Sequence, residues 1–390
     1  MRIGIFNYRQ FPFISANTAI GYTIGETIKK QYNYDVEFIG YKQSIEQEKI
    51  QNYQGIPISF FNCQVDEEQH NLSKLRNRLK NLLGEEYFLG KEAKRLKKII
   101  ITKKIDVLIC VIAPITTALI AYAAKLDIPI LLYQLDPFYN VGDIENSKLK
   151  KKFIKILPAF EKVYTTDLLY EGYAYDQVIS KYKKKIKVLQ FPKIIEDAMK
   201  EGGGRNKKIR LLYGGTLYRK IRDPKILLEL SNKLSEEFEI VYLGKCDVLE
   251  DQQLLENSNI VCKGYCSQEE LKKEIMETDI LINIGNKVKN QLGSKLIEYI
   301  ATGKPILNIY QFQGCPTLKV LENYSYKFNI AVSNLYEDVK MISEMNKFLY
   351  KAKGKKEEFS KIQELYSEYT PEYVTKCLID DIEKIKSKGR

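Results

Sequence analysis

The residues best suited to chemistry lie in GSKLIEYIATGKPILNIY, Gly293 to Tyr310. Ser294 is a good N-cap, Lys295 to Thr302 carries apolar residues at helical spacing, Gly303 suits the left-handed position after a helix, and Pro305 prevents continuation. Ile306 to Ile309 then reads as a strand. At such a helix start the backbone N–H groups around Gly293, Ser294 and Lys295 are unpaired and partly positive, an arrangement that holds a pyrophosphate, and Lys295 adds a full charge. Glu298 shares the face of Ser294, about 6 Å further along the axis. A ribose next to the phosphates lies within such reach. The same residues also describe an ordinary helix-to-strand turn of any α/β protein.

A second group lies in YGGTLYRKIRDPKILLEL, Tyr213 to Leu230. A strand ends there at two glycines, so backbone can approach a ligand closely at Gly215 and Thr216, and a helix begins near Asp223-Pro224. Arg219, Lys220 and Arg222 fall in the connecting loop, where arginine clamps phosphate in a fork and lysine acts as a point charge. Loops of basic proteins also carry solvated cations routinely.

The Gly293 to Pro305 segment resembles the donor-site motif of GT-B glycosyltransferases, particularly family 4-like enzymes of polysaccharide assembly, in which a small or Ser-Lys helix start is followed by Glu-Tyr and Gly-Lys-Pro. The resemblance implies that Glu298 binds the ribose of a nucleotide sugar. Many members carry two glutamates separated by seven residues, and Asn290 stands where the first belongs. An amide still bonds a sugar hydroxyl but lacks the carboxylate's charge. Tyr213 to Pro224 looks like the family loop that supplies phosphate-binding cations, which singles out Arg222, just before Asp223-Pro224, with Lys220 second. NIVCKGYCSQEEL, Asn259 to Leu271, looks like the element whose backbone meets the nucleotide base, with Tyr265 as a stacking ring. Its local alternative is a surface turn in which Ser267 and Glu270 form a capping box.

Acceptor binding and any base fall to the first half. SANTAIG, Ser15 to Gly21, follows a strand and matches in position the family loop that reaches across the cleft, which places Asn17 and Gly21 near the donor phosphate or acceptor. It lacks a full GxGxxG pattern. In YQLDPFYN, Asp136 stands just past a strand end, where α/β sheets present functional residues. It is the candidate to orient or deprotonate an acceptor hydroxyl, although Asp-Pro also starts ordinary turns.

Elements that position these groups are legible as alternating strands and helices. IGIFNY leads to a helix from about Tyr22 to Gln31, and VEFIGY follows. Val107 to Ala124 has eighteen uncharged residues, yet Ala113-Pro114 breaks the run into a β-rich piece and a helix from Thr116, followed by a strand at Ile130 to Gln134. That is one βαβ unit rather than a membrane span. EGGGRNKK is the clearest flexible boundary, and beyond it IRLLYGG, FEIVYLG, NIVCKGY, DILINIG and PILNIY alternate with helical stretches. The expected fold is α/β, GT-B, with two Rossmann-like doubly wound parallel-sheet domains facing a cleft. Residues 1–192 form the acceptor domain, 193–208 the linker and 209–370 the donor domain, and the helix 371–390 crosses back onto the first.

With 390 residues, 44% hydrophobic and 29% charged, the chain has the composition of a soluble two-domain protein. It opens without the features of a secretory signal, so a cytoplasmic location is expected. Seven scattered cysteines lack zinc-finger spacing and no Asp-x-Asp motif occurs, so reduced thiols and no metal are expected. The only histidine, His70, lies in polar DEEQHNLSK and reads as exposed, which removes Ser-His-Asp and Cys-His hydrolytic schemes. Net charge is +12, and residues 73–104 hold eleven Lys or Arg against three Glu. Apolar residues at helical spacing beside those cations suit an anionic membrane surface on the inner face of the cell membrane, or a solvated face whose apolar stripe is buried in the domain. No nucleic-acid module appears, so nucleic acid is not an expected partner.

The resemblance implies an enzyme that moves a sugar from a nucleotide-diphosphate sugar, foremost a UDP-sugar, to a growing glycan or lipid-linked acceptor, without a metal and with retention of configuration. Two alternatives remain. One is a non-catalytic glycosyltransferase-like subunit, motivated by Asn290 and the lack of an evident base. The other is a nucleotide-sugar 2-epimerase, which the scarcity of histidine disfavours.

Overall fold

The computed structural model describes residues 1–9, 16–41, 50–61, 89–112, 115–137, 139–141, 144–196, 208–256 and 258–388. His70, the polar boundary at 201–207 and residues 73–88 lie outside them. The chain divides into two compact units, Met1–Pro192 with Glu368–Arg390, and Lys193–Ser367.

The first unit is built on β1 (Arg2–Arg9), α1 (Ala16–Tyr32), β2 (Asp35–Tyr41), β3 (Asn52–Tyr53), β4 (Ile56–Phe61), α2 (89–102), β5 (Val107–Ile112), α3 (Thr116–Ala123), β6 (Ile130–Gln134), β7 (Asn140–Val141), β8 (Ile144–Glu145), α4 (Ser147–Ile156), β9 (Lys162–Thr165), α5 (Asp167–Tyr175) and β10 (Ile186–Val188). Its main sheet runs β10-β9-β6-β5-β1-β2-β4-β3, parallel except for β3 against β4. The uncharged run resolves into β5 and α3, and β5 is buried along its whole length because helices cover both faces of a parallel sheet. Among the described residues no helix is long and apolar enough to cross a membrane.

One expectation needs correction here. Helix α1 begins at Ala16, so Asn17 and Gly21 lie inside it rather than in a loop. Gly21 faces the core, where a Cβ would make an ordinary contact with Ile5 at 3.4 Å, whereas packing demands a glycine at Gly25, where a Cβ would stand 2.6 Å from the Phe38 ring. Small residues let the helix lie directly on β1 and β2. Of the segment 73–104, the described part forms α2, whose Ala93, Leu96 and Ile100 are buried in the first core, as in the alternative of a solvated face over a buried stripe.

The second unit contains β11 (Ile209–Gly214), α6 (Lys225–Asn232), β12 (Phe238–Leu243), α7 (Leu249–Glu256), β13 (Ile260–Gly264), α8 (Gln268–Met276), β14 (Ile280–Ile284), α9 (Ser294–Ala301), β15 (Ile306–Tyr310) and β16 (Lys327–Ala331). All pairs are parallel, in the order β13-β12-β11-β14-β15-β16. Winding direction reverses between β11 and β14. Loops leaving the carboxyl ends of those two strands therefore diverge and open a crevice, where doubly wound sheets bind ligands.

Candidate functional site

Both leading sequence candidates leave from that switch point. The loop after β11 carries Gly215 to Arg222, and the chain after β14 leads through Asn290 into α9. Spacing puts the cap of α9 at Ser294, but the structure puts it at Gly293, whose φ of −71° and ψ of 121° are extended, and among the described residues no side chain caps the helix start. Ser294 is the first helical residue. Its hydroxyl is not needed because the Leu296 N–H turns back onto the Gly293 carbonyl at 3.1 Å. A Cβ added at Gly293 would meet nothing within 4 Å among the described residues, which leave the space before the helix amides open. That suits an anion.

Glu298, one turn into α9, is gripped from two sides. Lys295 Nζ lies 2.9 Å from Oε2 and Lys193 Nζ lies 3.0 Å from Oε1. Burial alone would raise this carboxyl, but the charges of Lys193 and Lys295 and their hydrogen bonds outweigh it and hold the group at about 2. The glutamate is thus ionised at any ordinary pH. Its side chain remains 28% exposed, so lone pairs are still available to a ligand. Sequence reasoning missed Lys193, assigning it to a linker; nothing local couples it to α9.

Tyr299, the next residue, ties α9 to β11. The Gly214 N–H donates to its phenol oxygen at 2.9 Å, and its O–H points back to the Gly214 carbonyl at 3.3 Å. A Cβ at Gly214 would fall 2.8 Å from Leu271 and 3.1 Å from that phenol oxygen, which explains the glycine. Gly215 follows, with Thr216 half-buried beside it. Arg222 Nη1 reaches the Tyr213 hydroxyl at 3.3 Å and would stand 3.7 Å from a Cβ at Gly215. Its Nε is buried with no partner among the described residues. An unpaired donor in that position is costly unless a ligand supplies an acceptor.

The three loop cations separate cleanly. Arg219 spends its guanidinium on Asp251 of α7, through bonds of 2.8 and 2.7 Å, and Lys220 is exposed. Arg222 alone is turned toward the glycines. Gln311, just past β15, contributes a contact that sequence reasoning also missed: its amide donates to the Ile221 carbonyl at 2.7 Å and to the Gly285 carbonyl, while the Lys287 N–H meets Ile221 at 2.9 Å. Those bonds fix the peptide that carries Arg222.

No family model matches the chain, and no curated protein matches it in sequence. Solved structures do, over nearly all of its length. A glycosyltransferase from Rickettsia africae aligns with a TM-score of 0.65 at 13% identity, over 98% of each chain. Sucrose-phosphate synthase from Thermosynechococcus elongatus gives 0.65 at 11% identity over 99% of each. HepE of Anabaena, solved in complex with UDP and glucose, gives 0.57 at 12% identity, over 94% of this chain and 98% of that one. The chain has the GT-B fold.

Within the GT-B fold, the other candidates are distributed as follows. Tyr265, just past β13, is 79% exposed with Lys245 Nζ 5.3 Å from its ring centroid, and the adjoining capping box of Ser267 and Glu270 is formed. The cap and an available ring coexist. Asn290 is half-buried in the turn leading to α9, and Asn286 braces this stretch through the Gln291 carbonyl at 3.3 Å. In the other unit of the GT-B fold, Asp136 lies two residues past β6, where its carbonyl accepts from the Gln134 amide at 3.0 Å. Asn17 stands in the first turn of α1.

Proposed function

We propose that the protein is a glycosyltransferase that uses a nucleotide-diphosphate sugar, with a UDP-sugar as the leading donor and a growing glycan, free or lipid-linked, as acceptor. The observation that carries this reading is the buried, unpartnered Nε of Arg222 beside Gly215, at the switch point from which the open start of α9 also departs. HepE, of the same fold, binds UDP and glucose, which supports the choice of donor.

In this reading the α9 amides, Lys295 and Arg222 hold the diphosphate, Glu298 accepts from the ribose hydroxyls, and Tyr265 offers a face to the base. The bond between the anomeric carbon and the phosphate oxygen breaks, a bond to the acceptor hydroxyl oxygen forms, and the acceptor proton passes to the departing phosphate, which corresponds to retention. The fixed positive groups stabilise charge as it develops on the diphosphate. Asp136 is the acceptor-side candidate, a role that rests on the resemblance.

Thermal shift with UDP, GDP, ADP, CMP and dTDP tests the donor site, because a ligand at a hundred times its Kd adds about 2.7 kcal/mol to stability. We expect one diphosphate to raise Tm in the wild type and much less in Glu298→Ala or Arg222→Met. Arg222→Met removes the unpaired Nε together with the 3.3 Å contact to the Tyr213 hydroxyl, so the unliganded protein should lose no more than about 1 kcal/mol. No shift with any nucleotide would overturn the reading. Binding without donor hydrolysis or transfer would instead favour the non-catalytic subunit suggested by Asn290.

A further inference from the structure

We propose that Lys193 is a positioning residue for nucleotide recognition, holding the carboxylate plane of Glu298 at the angle that reads a ribose. The inference rests on the donor-site reading above. Lys295 is three residues before Glu298 on α9, so their pair is a local contact that many helices make. Lys193 is different. It stands outside every helix and strand, as the first residue of the second unit, yet its side chain is only 10% exposed. Ordering and burying a lysine stem costs side-chain entropy, so this placement needs a compensating contact. Its ammonium is within ion-pair distance of Oε1 of Glu298.

The geometry of the pair of ammonium groups gives the contact its use. The last torsion of a glutamate is broad, and one cation on one oxygen leaves the carboxylate free to turn. A cation on each oxygen, at 3.0 and 2.9 Å, fixes the plane. Each oxygen keeps a second lone pair, so a fixed carboxylate can accept from both hydroxyls of a ribose at once. The two lysines also outnumber the one glutamate, leaving a net positive charge beside the open end of α9 for a diphosphate.

Sugar discrimination provides the test. The affinity ratio of UDP over 2′-deoxy-UDP is measured by calorimetry for wild type, Glu298→Gln, Lys193→Met and Lys193→Arg, each first checked for an unchanged circular dichroism spectrum. A site built to bond a hydroxyl rejects the analogue that lacks it, so the wild type should favour UDP by at least about tenfold. Glu298→Gln should abolish the preference, Lys193→Met should reduce it to within about threefold, and Lys193→Arg, which keeps the charge in a different shape, should keep more of it than Lys193→Met. A Lys193→Met protein that keeps the wild-type ratio, while Glu298→Gln loses it, would overturn the role of Lys193 and leave the donor site standing. A wild type without any Glu298-dependent preference would overturn both.

Discussion

Glu298 and Arg222 are charged groups treated in opposite ways. The carboxylate is satisfied by two ammonium groups, whereas the guanidinium keeps a buried nitrogen that has no partner among the described residues. A satisfied anion is preorganised, and an unsatisfied cation is a demand for an anion. Glu298 also makes a pH prediction. Its carboxyl is lowered from an ordinary 4.5 to about 2, so its stabilising contribution is complete above 4.5 and is lost as pH falls toward 2. In urea unfolding, the stability gap between wild type and Glu298→Gln should be the same at pH 8 and pH 6 and should shrink at pH 3; a constant gap across that range would rule out the two-lysine account. At this scale Glu298, Lys295 and Arg222 stand out as candidates from residue type and position alone. The difference between Arg219 and Arg222 was not, because it depends on Asp251, which comes from another element.

Among elements, α9 is the one on which the site depends, and its two glycines do unlike work. Gly293 leaves the helix start open, while Gly303, with φ of +75°, lets the chain turn under the segment at 356–357. A Cβ at Gly303 would lie 2.3 Å from the Glu357 carbonyl oxygen. Gly303→Ala should therefore cost more than about 1 kcal/mol in chemical denaturation. A neutral result would show that the turn has another conformation. The strands beside α9 share an amide ladder: Asn283 donates to Asn308 at 2.7 Å, and Asn308 donates to Asn329 at 2.8 Å, at matching register across β14, β15 and β16. Each asparagine precedes an isoleucine in sequence, yet the ladder is visible only once the strands pair. The late start expected for α1 has a similar origin. SANTAIG lacks long apolar residues at helical spacing, and its helix is stabilised by closeness to β1 and β2 rather than by propensity.

For the whole molecule, the C-terminal helix Pro371–Lys388 returns to the first unit and packs against α1. Asp381 is the polar anchor: it accepts from the Tyr164 hydroxyl at 2.9 Å and from Lys187 at 2.6 Å, with its side chain 4% exposed. Asp381→Ala should cost about 2 kcal/mol, because it leaves a buried phenol and a half-exposed ammonium without their acceptor. Nucleotide affinity should be unchanged, since every donor candidate lies in the other unit; calorimetric unfolding together with UDP titration checks both. Lost affinity at full folding would show that the helix reaches the site. The sequence by itself determined the fold class and the place of the helix that holds Glu298, because alternation of buried runs, N-terminal small residues and a following glycine and proline are local properties. Only the tertiary structure decided which cations lie beside the candidate site. Lys193, Gln311 and Tyr299 meet Glu298, Ile221 and Gly214 through packing of segments far apart in the chain, and no local spacing encodes a contact whose two sides are brought together by the sheet.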